Sequence, residues 1–211
     1  MTIATVYQNY QIPPNLQRHQ LQVAAVVKLL QAHWVGPAVQ WQAATLAALL
    51  HDMGNILKFK RPFLGELEPD AQRWLVVQDQ FQAKYGSDVH TATRAIIVEL
   101  ISPNQPLILK EGPAILDTID GMKRMFVGNG DVSWATRAVE YADSVVTPRG
   151  IENFETRMAD LIERYPHKDA AWHAPFRQNA DLVTPLVEFD LDRLGDVDFS
   201  LSIKSLQEME V

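Results

Sequence analysis

Residues 47–54 read Ala-Ala-Leu-Leu-His-Asp-Met-Gly, an apolar run that ends in an adjacent imidazole and carboxylate and then in a glycine. The uniformly apolar stretch from Trp41 to Leu50 predicts a core helix rather than a half-exposed one, with Gly54 as its stop. His51 and Asp52 then stand at the C-terminal end of that helix, near the negative pole of its dipole, where the carboxylate adds a full negative charge. Such a place favours a cation. A satisfied histidine at a capped helix end would explain the same pair; the two explanations part on whether the rest of the chain supplies further ligands.

Three elements bear on that question. Asn15, after Pro13-Pro14, is the expected N-cap of a helix running to about Trp34. At about 100° per residue Leu16, Val23, Val27, Leu30 and Trp34 fall on one stripe, and His19 lies inside it. Ser87 or Asp88 caps a helix through Leu100 whose stripe of Val89, Thr93, Ile96, Ile97, Leu100 and Ile101 takes in His90. Asp131 or Ser133 caps a third, with Ala135, Ala138, Val139, Ala142, Val145 and Val146 on its apolar face and Asp143 at the border. Taken singly, an inward histidine is explained by a hydrogen bond to the backbone. Taken in order, His19, His51-Asp52 and Asp143 offer two imidazoles and two carboxylates. Nitrogen and oxygen ligands without sulfur suit Mn²⁺, Fe²⁺, Ni²⁺, Zn²⁺, Co²⁺ or, where carboxylates dominate, Mg²⁺. His33, His167 and His173 lie in polar or irregular surroundings and read as structural or solvent-facing.

The remaining segments are those of a helical scaffold. Residues 1–12 carry no strong period, and Gly36-Pro37 breaks the chain before Trp41. Lys58, Lys60 and Arg61 stand at the start of a loop, Phe59 to Gly65. Pro69 fits the first turn of a helix with Trp74, Leu75, Phe81 and Tyr85, which Gly86 closes. Pro103 and Pro106 end the His90 helix, and Gly112-Pro113 opens another with Ile115, Leu116, Ile119, Met122 and Phe126. Gly128-Asn129-Gly130 is a turn, and Thr147-Pro148-Arg149-Gly150 ends the Asp143 helix. Phe154, Met158, Leu161, Ile162 and Tyr165 predict one more helix, which Pro166 stops. Beyond it, Asn179 to Leu194 reads as a helix interrupted by Pro185, and Asp198 to Ile203 alternates like an edge strand or an extended tail. No strand pattern is long enough to build a central sheet. The expected architecture is an all-α bundle over residues 1–165, with an irregular C-terminal extension, 166–211, packed on the same domain.

Composition narrows the chemistry. With 47% hydrophobic and 21% charged residues the 211-residue chain is of ordinary globular make-up. Its 19 Lys+Arg against 26 Asp+Glu, a net charge of −7, argue against an extended nucleic-acid-binding face but not against a local basic pocket for phosphate. Cysteine is absent, which excludes a disulfide framework, a thiolate metal site and a cysteine nucleophile. No basic n-region precedes a long apolar segment, and no stretch reaches the ~18 apolar residues needed to span a bilayer. The expected location is cytoplasmic, away from membranes.

The order His19, His51-Asp52, Asp143 resembles the HD domain superfamily of metal-dependent phosphohydrolases. Arg18-His19-Gln20-Leu21-Gln22-Val23-Ala24 looks like that family's first helix, Leu49-Leu50-His51-Asp52-Met53-Gly54 like its doublet, and Tyr141-Ala142-Asp143 like its last ligand and flank. The resemblance covers about residues 15–165. It implies an HD-domain-like helical bundle, one divalent metal ion held by His19, His51, Asp52 and Asp143, and hydrolysis of a phosphoester or phosphoanhydride of a small molecule such as a nucleotide. It further implies that Asp52 orients the attacking water, and that Arg18, Lys58, Lys60 and Arg61 supply positive charge to the substrate phosphate, with Lys58 the foremost and also assisting the chemistry. Two positions depart from the family's pattern. Asn55 stands where many members have Lys or Glu, so the proton donor is unassigned. Only His90 lies between the doublet and Asp143, where two-metal members have two histidines. One metal is therefore expected, with His90 in a catalytic or substrate-binding role; a second would need water or a carboxylate such as Asp117 or Asp120. The alternative is a non-catalytic HD-type regulatory or interaction module.

Overall fold

The computed structural model describes residues 1–59, 71–102, 104–126, 131–168 and 170–211. In chain order its helices are α1 (Ile3–Asn9), α2 (Pro14–His33), α3 (Trp41–Leu50), α4 (Ala71–Tyr85), α5 (Val89–Leu100), α6 (Pro106–Phe126), α7 (Trp134–Asp143), α8 (Phe154–Arg164), α9 (Ala170–Val183) and α10 (Ser200–Gln207). A 3-10 turn, Asn55–Lys58, follows α3, and the strands β1 (Val146–Thr147) and β2 (Gly150–Ile151) form a two-stranded antiparallel hairpin. Among the described residues the architecture is helical apart from that hairpin and two isolated bridges, Thr2–Glu210 and Trp34–Val187.

Helix α3 is the axis of the core. Every residue from Ala43 to Leu50 is buried, because α2, α6 and α7 enclose it. Its all-round apolar sequence is what such a position requires. The C-terminal end of α3 is tied down by α1: the Tyr7 hydroxyl donates to the Leu49 carbonyl at 2.8 Å, satisfying one of the carbonyls that a helix end leaves over. Residues 1–12, which lack a clear period, thus contribute a helix capped by Thr2, whose side chain accepts from the Thr5 N–H.

Several boundaries differ from those the sequence suggests. Asn15 lies inside α2; Pro13 is the cap residue and Pro14 occupies the first turn, where its missing N–H costs nothing. Asp88 and Ser133 are the side-chain caps of α5 and α7, accepting from the Thr91 and Thr136 N–H groups. Helix α6 opens at Pro106, not at Gly112-Pro113, and carries Pro113 internally. Helix α7 stops at Asp143, and Thr147-Pro148-Arg149-Gly150 is the turn of the hairpin, with Thr147 Oγ1 accepting from the N–H groups of Arg149 and Gly150. Gly150, at φ 150°, adopts a backbone conformation that few side chains tolerate.

The C-terminal stretch is helical rather than irregular. Helix α9 covers Ala170–Val183 with Pro175 inside it, and Ser200–Ile203, within the stretch expected to alternate as a strand, form the first half of α10. Helix α9 packs on α7 and α10 on α2. The two ends of the chain meet, with the Val211 N–H donating to the Met1 carbonyl at 2.9 Å. Pro69, Lys60, Arg61, Pro103 and the Gly128–Gly130 turn lie outside the described residues. Among the described residues no helix is long and apolar enough to cross a membrane.

Candidate metal centre

Three helix segments converge on one point. His19 comes from the second turn of α2, His51 and Asp52 from the turn that ends α3, and Asp143 from the last position of α7. His19 Nε2 lies 3.0 Å from Asp143 Oδ1 and 3.6 Å from Asp52 Oδ2. His51 Nε2 lies 3.7 Å from each of Asp143 Oδ1 and Asp52 Oδ2. Ligand atoms of His19, His51 and Asp143 all lie within 4.8 Å of one another, a grouping able to hold a metal ion. Asp52 stands beside this trio, close to both imidazoles.

Supporting contacts fix the ring and the doublet. The His51 Nδ1–H donates to the Ala48 carbonyl at 2.8 Å; a carbonyl only accepts, so the Nε2 lone pair is free to coordinate. That Nε2 is buried without a hydrogen-bond partner. The Asp52 N–H donates to Oε1 of the buried Gln20, the residue next to His19 in α2, at 3.3 Å. The Gly54 N–H donates to Thr93 Oγ1 at 3.0 Å, joining the doublet to α5.

Gly54 has an ordinary α-region backbone, φ −90° and ψ −2°. Its lack of a side chain matters for a different reason from the helix stop the sequence suggests. A Cβ there would stand 2.6 Å from the Val89 carbonyl oxygen and 2.9 Å from Ala92 Cβ, so α5 crosses directly over the turn.

The donor set fits a divalent cation. With metal–ligand bonds of about 2.0–2.2 Å, two ligands of one ion stand about 2.9 Å apart at a right angle and about 3.4 Å apart at a tetrahedral one. The 3.0–3.7 Å separations found here need only small side-chain adjustments to reach that range. Without a cation the charges answer one another. Burial pushes the His51 pKa down, but the charges of Asp52 and Asp143 and the hydrogen bond to the Ala48 carbonyl push it further up, to about 9. Burial would raise Asp143, yet the His19 imidazole at 3.0 Å and the charge of His51 hold it well below the usual carboxylate range.

A further carboxylate, which the pattern of apolar positions did not single out, sits at the same place. Glu140 is 2% exposed, and neither of its oxygens has a hydrogen-bond partner. Burial, reinforced by the negative charges of Asp143 and Asp52, raises its pKa to about 8. The signal was its spacing: three residues before Asp143, it shares that residue's helix face.

Two openings meet at the cluster. A cleft of about 560 Å³ is lined by His19, Asp52, Asp143, Arg18, Lys58 and Asn55, with Arg157, Arg164, Tyr165 and Trp172 from α8, α9 and their junction on its outer wall. A smaller cavity, about 320 Å³, is lined by His51, Asp52, Lys58, His90, Glu140 and Asp143. Arg18 and Lys58 both line the cleft, and Lys58 lines the smaller cavity as well. His90 stays outside the metal-ligand grouping; its Nε2 lies 2.9 Å from Asp120 Oδ1, and Arg94 pairs with the other oxygen of that carboxylate. Arg61 lies outside the described residues. His173 is buried on α9, away from the cluster. Compared with protein-family models, with curated proteins and with solved structures, the chain finds no match in any of the three.

Proposed function

We propose that this chain is a metal-dependent phosphohydrolase of the HD type, cleaving a phosphoester or phosphoanhydride of a small molecule, with nucleotides the expected class. The observation that carries this reading is the meeting of His19, His51 and Asp143, with Asp52 beside them, between a cleft lined by Arg18 and Lys58 and a smaller cavity that Lys58 also lines. A bound divalent cation would supply Lewis acidity and a water ionised near neutral pH.

The chain's own residues do the rest. His19, His51 and Asp143 hold the cation, and His51 is kept in the coordinating tautomer by the Ala48 carbonyl. Asp52, 3.6–3.7 Å from both imidazoles, joins the ligand set or accepts a hydrogen bond from the attacking water and orients it. Arg18 and Lys58 offer donors to the phosphoryl oxygens. Asn55 cannot transfer a proton. His90, in the cavity shared with His51 and Asp52 and held by Asp120, is the group available to protonate the leaving oxygen.

Elemental analysis of the purified chain, beside a phosphatase screen with Mn²⁺, Mg²⁺, Co²⁺ and Ni²⁺, tests the reading. About one metal per chain and turnover lost in Asp52→Ala are expected. Absence of metal, or full activity in Asp52→Ala, would refute it. A chain that binds metal but turns over no phosphorylated compound is the non-catalytic module that Asn55 favours.

A further inference from the structure

Helix α8 carries Arg157, Asp160 and Arg164 at spacings of three and four, which places all three on one face. Asp160 Oδ2 accepts from Arg157 at 2.5 Å and lies 2.7 Å from Arg164 NH2, while Oδ1 lies 3.5 Å from Arg149 NH2. Three guanidiniums share one carboxylate, an excess of two positive charges in a chain whose net charge is −7. A purely structural ion pair would need one arginine. Arg157 and Arg164 both line the large cleft, and Asp160 is not part of that lining. Arg157 is only 13% exposed, and its Nε is buried with no partner. Burial lowers its pKa, and the charge of Asp143 acts against that effect, so the guanidinium lies within electrostatic reach of the metal-ligand grouping. A desolvated guanidinium with a donor to spare gains most from an oxyanion, which it holds through charge-assisted, often bidentate, hydrogen bonds.

We infer that Arg157 and Arg164 form an oxyanion subsite on the outer wall of the cleft, which takes a second phosphoryl group of a substrate whose first lies at the His19–His51–Asp143 cluster. That the oxyanion belongs to this substrate rests on the phosphohydrolase reading; the subsite itself does not. Arg18 and Lys58 serve the group at the metal end, and Arg157 and Arg164 the group at the other. The ligand class is a small molecule carrying two or more phosphoryl groups, and a cleft of about 560 Å³ has room for one.

Inorganic pyrophosphate titrated calorimetrically into the full chain in excess EDTA tests the subsite without any metal. Binding is expected, weakened at least about tenfold in Arg157→Gln and in Arg164→Gln. Asp160→Asn separates an anion site from a structural cluster. Removing the competing carboxylate should tighten pyrophosphate binding, whereas a merely structural triad would lose stability in all three variants with no gain in affinity. Arg164, at 38% exposed, tolerates substitution more readily and carries the test if Arg157→Gln does not fold. No binding in EDTA, wild-type affinity in both arginine variants, or weaker binding in Asp160→Asn overturns the inference. A chain that fails here yet takes up metal and hydrolyses phosphomonoesters keeps its phosphohydrolase reading. One that binds pyrophosphate as described but takes up no metal loses that reading and keeps the subsite.

Discussion

The His51 imidazole donates its Nδ1–H to the carbonyl of Ala48, three residues back in the last turn of α3, and so presents Nε2 to the carboxylates of Asp52 and Asp143. An unused carbonyl at the end of α3 thus sets the tautomer of a residue just beyond it. On the proposed reading, proton and cation would compete for that Nε2.

The competition fixes a pH dependence. In the metal-free protein the His51 pKa is raised from 6.5 to about 9. The stability this lends is fully present below about pH 6.5 and is lost as pH rises through about 9. Metal affinity runs the other way: each bound metal displaces the proton, so affinity should climb by up to about tenfold per pH unit between 7 and 9, then level off. Competition titrations with a chromogenic chelator at pH 7, 8 and 9 measure this. A flat profile would count against coordination through His51.

Glu140 gives two effects of opposite sign. Its raised pKa means that the folded chain holds a proton the unfolded chain releases, so metal-free stability falls as pH rises from about 4.5 to about 8. Glu140→Gln should raise the metal-free Tm at pH 9 by several degrees, at about 2–4 °C per kcal/mol for a chain of this size, and by little at pH 4. The same change removes a negative charge beside the cation and should weaken metal binding. Differential scanning fluorimetry with and without Mn²⁺ shows both.

Substitution at Gly54 tests how the doublet is positioned. A Cβ at 2.6 Å from the Val89 carbonyl oxygen has no flexible neighbour to displace. Gly54→Ala should cost about 1–3 kcal/mol, the usual range for overpacking, and should lower metal affinity because α5 and the His51–Asp52 turn must separate. Urea unfolding beside metal titration distinguishes this from Gly86→Ala. Gly86 has open space around it but a φ of 82°, so there the penalty would be backbone strain without loss of the site.

His90 is expected to act after binding. His90→Gln should leave metal content at the wild-type level and lower kcat by about 10²-fold, the lower end for loss of a general acid. Asp120→Asn, which removes the charge that orients the ring, should lower kcat less and leave KM nearly unchanged. Steady-state kinetics with metal analysis on the same samples decides. Loss of metal in His90→Gln would instead make His90 a ligand.

Much of the site was legible because its signals are local. The apolar run before His51, the placement of His19 on the buried stripe of α2, and the helical period of nearly every long segment follow from spacing along a single helix, which the sequence displays directly. Helix α1 was not legible, because seven residues give too few turns to set a period and its stability comes from docking Tyr7 on α3. Helix α9 was obscured by Pro175, whose local preference for a break yielded to packing against α7, whereas Pro185 lies just past the end of α9, in a 3-10 turn.

By itself, then, the chain's sequence determined a helical protein with an imidazole and a carboxylate at the end of its most buried helix, and histidine and aspartate partners on two others. Only the tertiary structure decided that His19, His51 and Asp143 draw into one grouping while Asp52 stands beside it, since those distances depend on how the ends of α2, α3 and α7 meet. It alone placed Glu140 without a partner among them and turned Arg157 and Arg164 toward the same cleft. Charge and burial at a point are properties of several elements at once, and no single stretch of chain encodes them.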